Sequence, residues 1–197
     1  MLNLRLSYSA PGEFGGVRSF AGDDGIIRRM WTINYLSGKI NGFLGDSEDD
    51  KSVFDYLSSV PVGTPARASG VVDSTSNTGE ELRLVSDSFL IPGMEGFTPP
   101  DDAELLGGCI FSGALFCWRV ESRKDGTFSA WFSGMGYNFH FKTVSEDIFR
   151  KLEASNCYKL SGSLQTSLLY RNGSKFPYVG CTPILKTVKK IDILKDK

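Results

Sequence analysis

Among its 197 residues the chain has a single histidine, His140, and four cysteines, Cys109, Cys117, Cys157 and Cys181, with no Cys-x-x-Cys pair among them. Zinc sites and disulfide scaffolds need closely spaced ligands or a secretory context. The cysteines are therefore expected to be small buried hydrophobes, and no metal or other cofactor is expected. A lone histidine without a positioned nucleophile or orienting acid is weak ground for catalysis, so His140 is expected to be an exposed or cross-strand polar residue. No apolar run approaches the roughly 20 residues that span a bilayer, and Met1-Leu2-Asn3-Leu4-Arg5 lacks the long apolar stretch of a signal peptide. No membrane partner is expected, and the cytoplasm is the expected location. The Gly-rich segment 12–25 contains neither Gly-x-x-x-x-Gly-Lys-Ser/Thr nor Gly-x-Gly-x-x-Gly opening a helix, which excludes the common nucleotide-binding loops. The acidic clusters Asp23-Asp24, Glu48-Asp49-Asp50 and Asp101-Asp102 fall in turns or at a helix start, where backbone chemistry accounts for them without a metal. With no nucleophile coupled to a base, the chain reads as non-enzymatic.

What the chain does have is a coarse internal repeat. Ser47-Glu48-Asp49-Asp50 leads into Val53, Phe54 and Leu57, then Ala66 to Val72, a Gly79 turn, and Leu82 to Ile91. Ser145-Glu146-Asp147 leads into Ile148, Phe149 and Leu152, then Tyr158 to Leu164, a Gly173 turn, and Phe176 to Leu185. Phe54 maps to Phe149, Gly70 to Gly162 and Gly79 to Gly173, offsets of about 92 to 95 positions, the size of a small domain. Charge divides along the same line: residues 1–98 carry 8 Lys/Arg and 13 Asp/Glu, residues 99–197 carry 14 and 10. An anionic partner is therefore expected on the second half.

Strand signals dominate. Leu2 to Tyr8 alternates apolar and polar residues, Arg29 to Leu36 is rich in aromatic and β-branched ones, and residues 9–28 read as loop. Ile110 to Val120 and Thr127 to Phe132 flank an Asp125-Gly126 turn and read as a hairpin. Tyr137 to Lys142, Tyr158 to Leu169 and Lys175 to Lys186 complete five strands in the second half. Helices are expected after Ser47-x-x-Asp50 and after the capping-box pattern Thr143-x-x-Glu146, each two or three turns long. Residues 91–102, rich in Pro, Gly and acids, form a linker between domains 1–97 (acidic, divergent) and 98–197 (more basic). Five strands with one helix between the third and fourth is the order of the OB-fold, so the expected class is mainly β, with two tandem OB-fold-like five-stranded barrels.

Phe149-Arg150-Lys151-Leu152, Tyr158 to Thr166 with its Gly162-x-Leu164-x-Thr166 core, and Arg171 to Phe176 together resemble the bacterial and phage single-stranded DNA-binding proteins, over about 45 residues of the second half. A weaker echo lies at Val62 to Ile91. The family's acidic, aromatic-ended tail has no counterpart in Lys189 to Lys197, which suits a phage, plasmid or accessory protein. The resemblance implies a binding protein for single-stranded DNA, or RNA, in replication or recombination, with a homo-oligomer as a further expectation.

Strand binding requires cations along the phosphates and flat rings on which bases stack, each stack worth about 1–3 kcal/mol. The candidates are Trp118, Arg119, Trp131 and Lys142 on the strands, and Tyr170, Arg171, Lys175 and Phe176 at the hairpin tip. Each has a plainer role: Tyr137, Phe139 and Phe141 alternate and are expected in the core, Trp118 and Trp131 suit either core or surface, and Arg171 and Lys175 suit a soluble hairpin. The competing reading is a structural or protein-interaction module of a phage or other assembly, favoured by the acidic first half.

Overall fold

Strand propensity governs the chain, and the computed structural model describes residues 4–22, 24–36, 38–74, 82–170 and 177–192. In order they form β1 (Leu6–Ala21), β2 (Ile27–Tyr35), β3 (Gly38–Leu44), α1 (Glu48–Ser58), β4 (Pro65–Ser74), β5 (Leu82–Leu90), α2 (Asp102–Gly107), β6 (Ile110–Ser122), β7 (Phe128–Gly134), β8 (Tyr137–Val144), α3 (Glu146–Phe149), β9 (Asn156–Tyr170) and β10 (Pro177–Lys190). The protein is mainly β, as expected, and its described ladders are antiparallel. Three strands, a helix and two strands occur twice, with α2 between them.

Several local expectations are corrected. Much of the Gly-rich residues 9–28 is strand rather than loop, with a turn left between Ala21 and Ile27: β1 runs to Ala21, slips register between Phe14 and Val17, and holds Gly16 at φ 95°. Its glycines serve a bulge and a close approach, not a break in the strand. The capping box at Thr143 does not form, because β8 continues through Thr143 to Val144, which pairs with Phe128 and is buried. Helix α3 starts after Ser145 instead and is only four residues long. The first helix is as expected: the Ser47 hydroxyl accepts from the Asp50 N–H at 3.1 Å. Helix α2 was not foreseen; Asp101 accepts from the Glu104 N–H at 2.8 Å while the Asp101 N–H donates to the Glu104 carboxylate at 3.1 Å. Strand β10 extends past Lys186 to Lys190. The turns at Gly79 and Gly173 lie outside the described residues.

The chain divides into two compact units whose boundaries fall within β1, β4 and β5: Met1–Ser9, Gly70–Val85 and Cys109–Lys197 form one, Ala10–Ser69 and Ser86–Gly108 the other. In the second of these, β1, β2 and β3 form a meander with Trp31, Ile33, Ile40 and Phe14 turned inward and buried. Trp31 lies across Gly42, where a β-carbon would stand 2.0 Å from the indole, and its ring meets Phe89 at 4.7 Å.

In the larger unit the strand order is β10-β9-β6-β7-β8, with Leu6–Ser9 of β1 paired to β6 and Leu82–Arg83 of β5 paired to β10. Its core is aromatic. Phe132 meets Phe141 edge-on at 5.3 Å, Phe111 lies 5.9 Å from Phe141, and Tyr158 is fully buried with its hydroxyl accepting from the Glu153 N–H at 2.8 Å. Each such side chain contributes about 1.5–3 kcal/mol through burial. Phe139 and Phe141 are core as expected, but Tyr137, at the start of β8, is 40% exposed. Gly162 is needed for space: a β-carbon there would stand 2.0 Å from the Ile184 carbonyl oxygen and 2.7 Å from the Phe111 ring. Cys109, Cys117 and Cys157 are buried and Cys181 is half-buried. Burial pushes the Cys109 thiol up to about 12 and that of Cys117 to about 11.

Candidate nucleic-acid interface

Directly opposed residues of an antiparallel pair share a face. On β6, β7 and β8 the register sets Arg119 opposite Trp131, and Trp131 opposite His140. Cys117, Phe132, Phe139 and Phe141 fill the core side, so this row lies on the face away from the core. The Trp131 indole is flanked by both neighbours: the Arg119 guanidinium carbon is 4.7 Å from the ring centre, and the His140 imidazole stacks at 4.1 Å with 11° between planes. His140 is 4% exposed, a buried cross-strand residue.

The register of β6 slips between Cys117 and Arg119, which leaves Trp118 at the bulge. Its side chain is 42% exposed and its ring lies 6.3 Å from that of Trp131, tilted by 51°. Arg119 donates from Nη2 to Glu121 at 2.7 Å across an exposed pair, a contact worth about 0–1 kcal/mol. Lys142 follows the core residue Phe141 and is exposed.

The hairpin joining β6 to β7 adds two cations. Arg123 and Lys124 are exposed at its tip. The Arg123 N–H donates to the Thr127 carbonyl at 2.8 Å, Gly126 sits at φ 81°, and Asp125 accepts from the Thr127 N–H and hydroxyl, which holds its carboxyl below the usual range. The hairpin joining β1 to β2 has the same construction, with Gly22 N–H to Ile26 carbonyl at 2.8 Å, Gly25 at φ 75°, and Asp24 accepting from the Ile26 N–H at 3.0 Å. On the face opposite Trp31 and Ile33, Arg18 stands opposite Met30 and Met30 opposite Phe43, a register like that of Arg119, Trp131 and His140, although Met30 is itself buried at 2% exposure. Phe43 is 57% exposed. Arg28, on that face opposite Phe20, is gripped by both oxygens of Asp24 at 3.0 and 2.6 Å, and this pair holds the Asp24 carboxyl down to about 2.

Of the residues expected at a site, Trp118, Arg119 and Trp131 form one cluster and Lys142 lies on the same outward side. Tyr170 ends β9, and Arg171, Lys175 and Phe176 lie outside the described residues. Sequence reasoning missed Arg123 and Lys124, whose signal was the basic pair just before the Asp-Gly turn, and Phe43, which carries no local signal. Among the described residues no group of three or more His, Cys, Asp or Glu side chains is gathered where it could hold a metal ion.

No family model and no curated protein matches the sequence. The fold does match solved structures. A deletion variant of the single-stranded DNA binding protein from Thermus aquaticus superposes with a TM-score of 0.50 at 10% identity, covering 100% of this chain and 99% of that one. The wild-type protein from the same organism gives 0.50 at 11%, covering 98% and 95%. The chain therefore has an OB-like fold similar to that of these proteins over their full length.

Proposed function

We propose that this protein binds single-stranded nucleic acid without catalysing a reaction, using the outward face of β6, β7 and β8 and the Arg123-Lys124 hairpin. The observation that carries this reading is Trp118: a tryptophan 42% exposed, at a bulge, beside an arginine already laid over a second indole. Exposed aromatics next to cations are what an unpaired strand requires, since bases stack on the rings while phosphates meet the charges. In an OB-fold the second and third strands and the loop between the first and second carry oligonucleotides, and in chain order β7, β8 and the 123–127 hairpin would correspond to these in the second set of five strands. The two Thermus aquaticus structures, single-stranded DNA binding proteins by name, support the same reading.

The finer expectations belong to this proposal: two tandem OB-like domains divided near residues 97 and 98, a role in replication or recombination, self-association, and a cytoplasmic location. The hairpin residues Tyr170, Arg171, Lys175 and Phe176 are assigned to the interface on their sequence alone. The recurrence of the Arg18, Met30 and Phe43 row supports a second, smaller binding face on the first half.

Titration of intrinsic tryptophan emission with a poly-dT oligonucleotide tests the proposal. Saturable quenching that weakens with salt, and that Trp118→Ala removes, is the expected result. A flat response without a gel shift would favour a structural or protein-interaction module, the reading that the acidic first half and the exposed Leu36 and Leu106 side chains support.

A further inference from the structure

Two arginines of the outward faces share a feature that the binding reading leaves unused. Arg119 holds its guanidinium carbon over the Trp131 ring, 4.7 Å from its centre, and donates from Nη2 to Glu121 at 2.7 Å. Arg28 presents its edge to both oxygens of Asp24. Each carboxylate lies within four residues of its arginine, at a hairpin of the same construction.

We infer that Glu121 and Asp24 act as internal phosphate mimics, each occupying the strand-facing arginine of its hairpin until a phosphodiester group displaces it. The inference rests on the nucleic-acid reading and adds to it a built-in competitor. A carboxylate and a phosphodiester each offer an arginine two oxygens in similar geometry, so one replaces the other without moving the guanidinium. At Arg119 the cation–π contact uses the ring-facing surface and leaves the donor edge free to change acceptors. Both pairs are exposed, so each is weak enough to open. A tethered carboxylate nevertheless competes at an effective concentration on the order of mM, which a free phosphate or a mononucleotide below that concentration does not overcome. At Arg119 a strand overcomes it by binding several groups at once, with a base on Trp118 and further phosphates on Arg123 and Lys124; at Arg28 the groups of the same unit are Phe43 and Arg18. The carboxylates therefore set a minimum ligand, an oligomer rather than a monomer.

The test is fluorescence anisotropy of a labelled dT oligonucleotide across a salt series with the full-length wild-type protein, Glu121→Gln and Asp24→Asn. The asparagine keeps the oxygen that accepts from the Ile26 N–H, so the turn is retained. Each variant is expected to bind about two- to fivefold more tightly at low salt. The log–log salt slope should stay close to that of the wild type, because the strand neutralises the same phosphates once it has displaced the carboxylate. Glu153→Gln, which removes the same charge from the exposed Lys190 pair, is the control and should not gain affinity to the same extent. If the wild type binds and neither variant departs from it, or if the control gains equally, the inference is overturned and strand binding stands. If neither wild type nor variants bind, the binding reading falls and the inference with it.

Discussion

The Trp131 and His140 rings stack with 4.1 Å between centres and 11° between planes, across the β7–β8 ladder. The one histidine of the chain thus covers a face of the indole that sequence alone would leave available to a base, and Arg119 lies over the same ring. The two tryptophans of this cluster consequently have different work: Trp131 organises the face and Trp118 meets the solvent.

Truncating them separates the roles. Trp118→Ala is expected to weaken dT binding by about 1–3 kcal/mol while leaving the urea midpoint almost unchanged. Trp131→Ala is expected to lower the urea midpoint, because it removes the stack and cation–π contact that seat His140 and Arg119. Equal effects of the two substitutions on both measurements would contradict this division.

Gly162 allows a second test. Gly162→Ala forces a methyl against the Ile184 carbonyl oxygen and the Phe111 ring, both on packed elements, and is expected to cost at least about 2 kcal/mol in urea unfolding. Gly126→Ala meets no atom within 4 Å but must hold φ 81°, so its cost is about 1–2 kcal/mol, from backbone strain alone.

Two exposed carboxylates make a small contribution to acid stability. Asp24 and Glu104 are each held down to about 2, first by the hydrogen bonds from Arg28 and Arg67 respectively. Their folded values lie below their unfolded values, near 4, so the stabilisation is fully present above about pH 4 and is lost as pH falls toward 2. Thermal melts from pH 5 to 2 should show this loss. Asp24→Asn and Glu104→Gln should each flatten the profile, and an unaltered profile in the double variant would refute the assignment.

Thiol chemistry reports the packing. With Cys109 and Cys117 pushed up to about 12 and 11, and burial raising Cys157 and Cys181 as well, the native protein at pH 8 should react with a disulfide reagent only slowly. All four thiols should react at once in denaturant. A fast native thiol would locate an opening of the core.

Much of the fold is legible locally. Alternation at Leu4, Leu6 and Tyr8, the aromatic and β-branched run through Trp31 and Ile33, the Asp125-Gly126 turn and the Ser47 cap each act within a few residues, so sequence reads them directly. Failures arise where a distant partner outweighs a local preference. Thr143 has the chemistry to cap a helix, but pairing of Val144 with Phe128 keeps it in strand. The glycines at positions 12, 15 and 16 suggest a loop until β2 is beside them, when they become the points of bulge and close approach, while Gly22 and Gly25 do lie in the turn.

The candidate site divides in the same way. Sequence by itself determined a β-rich chain with an acidic first half and a more basic second half, and it nominated Trp118, Arg119, Trp131 and Lys142 as residues with strand-binding chemistry. Tertiary structure alone decided which ring is open and which is covered. That outcome depends on the one-residue slip in β6, which leaves Trp118 at the bulge, and on the register that lays Arg119 and His140 beside Trp131. Register is a property of paired strands, fixed by the fit of whole faces to a core, and no single segment contains it.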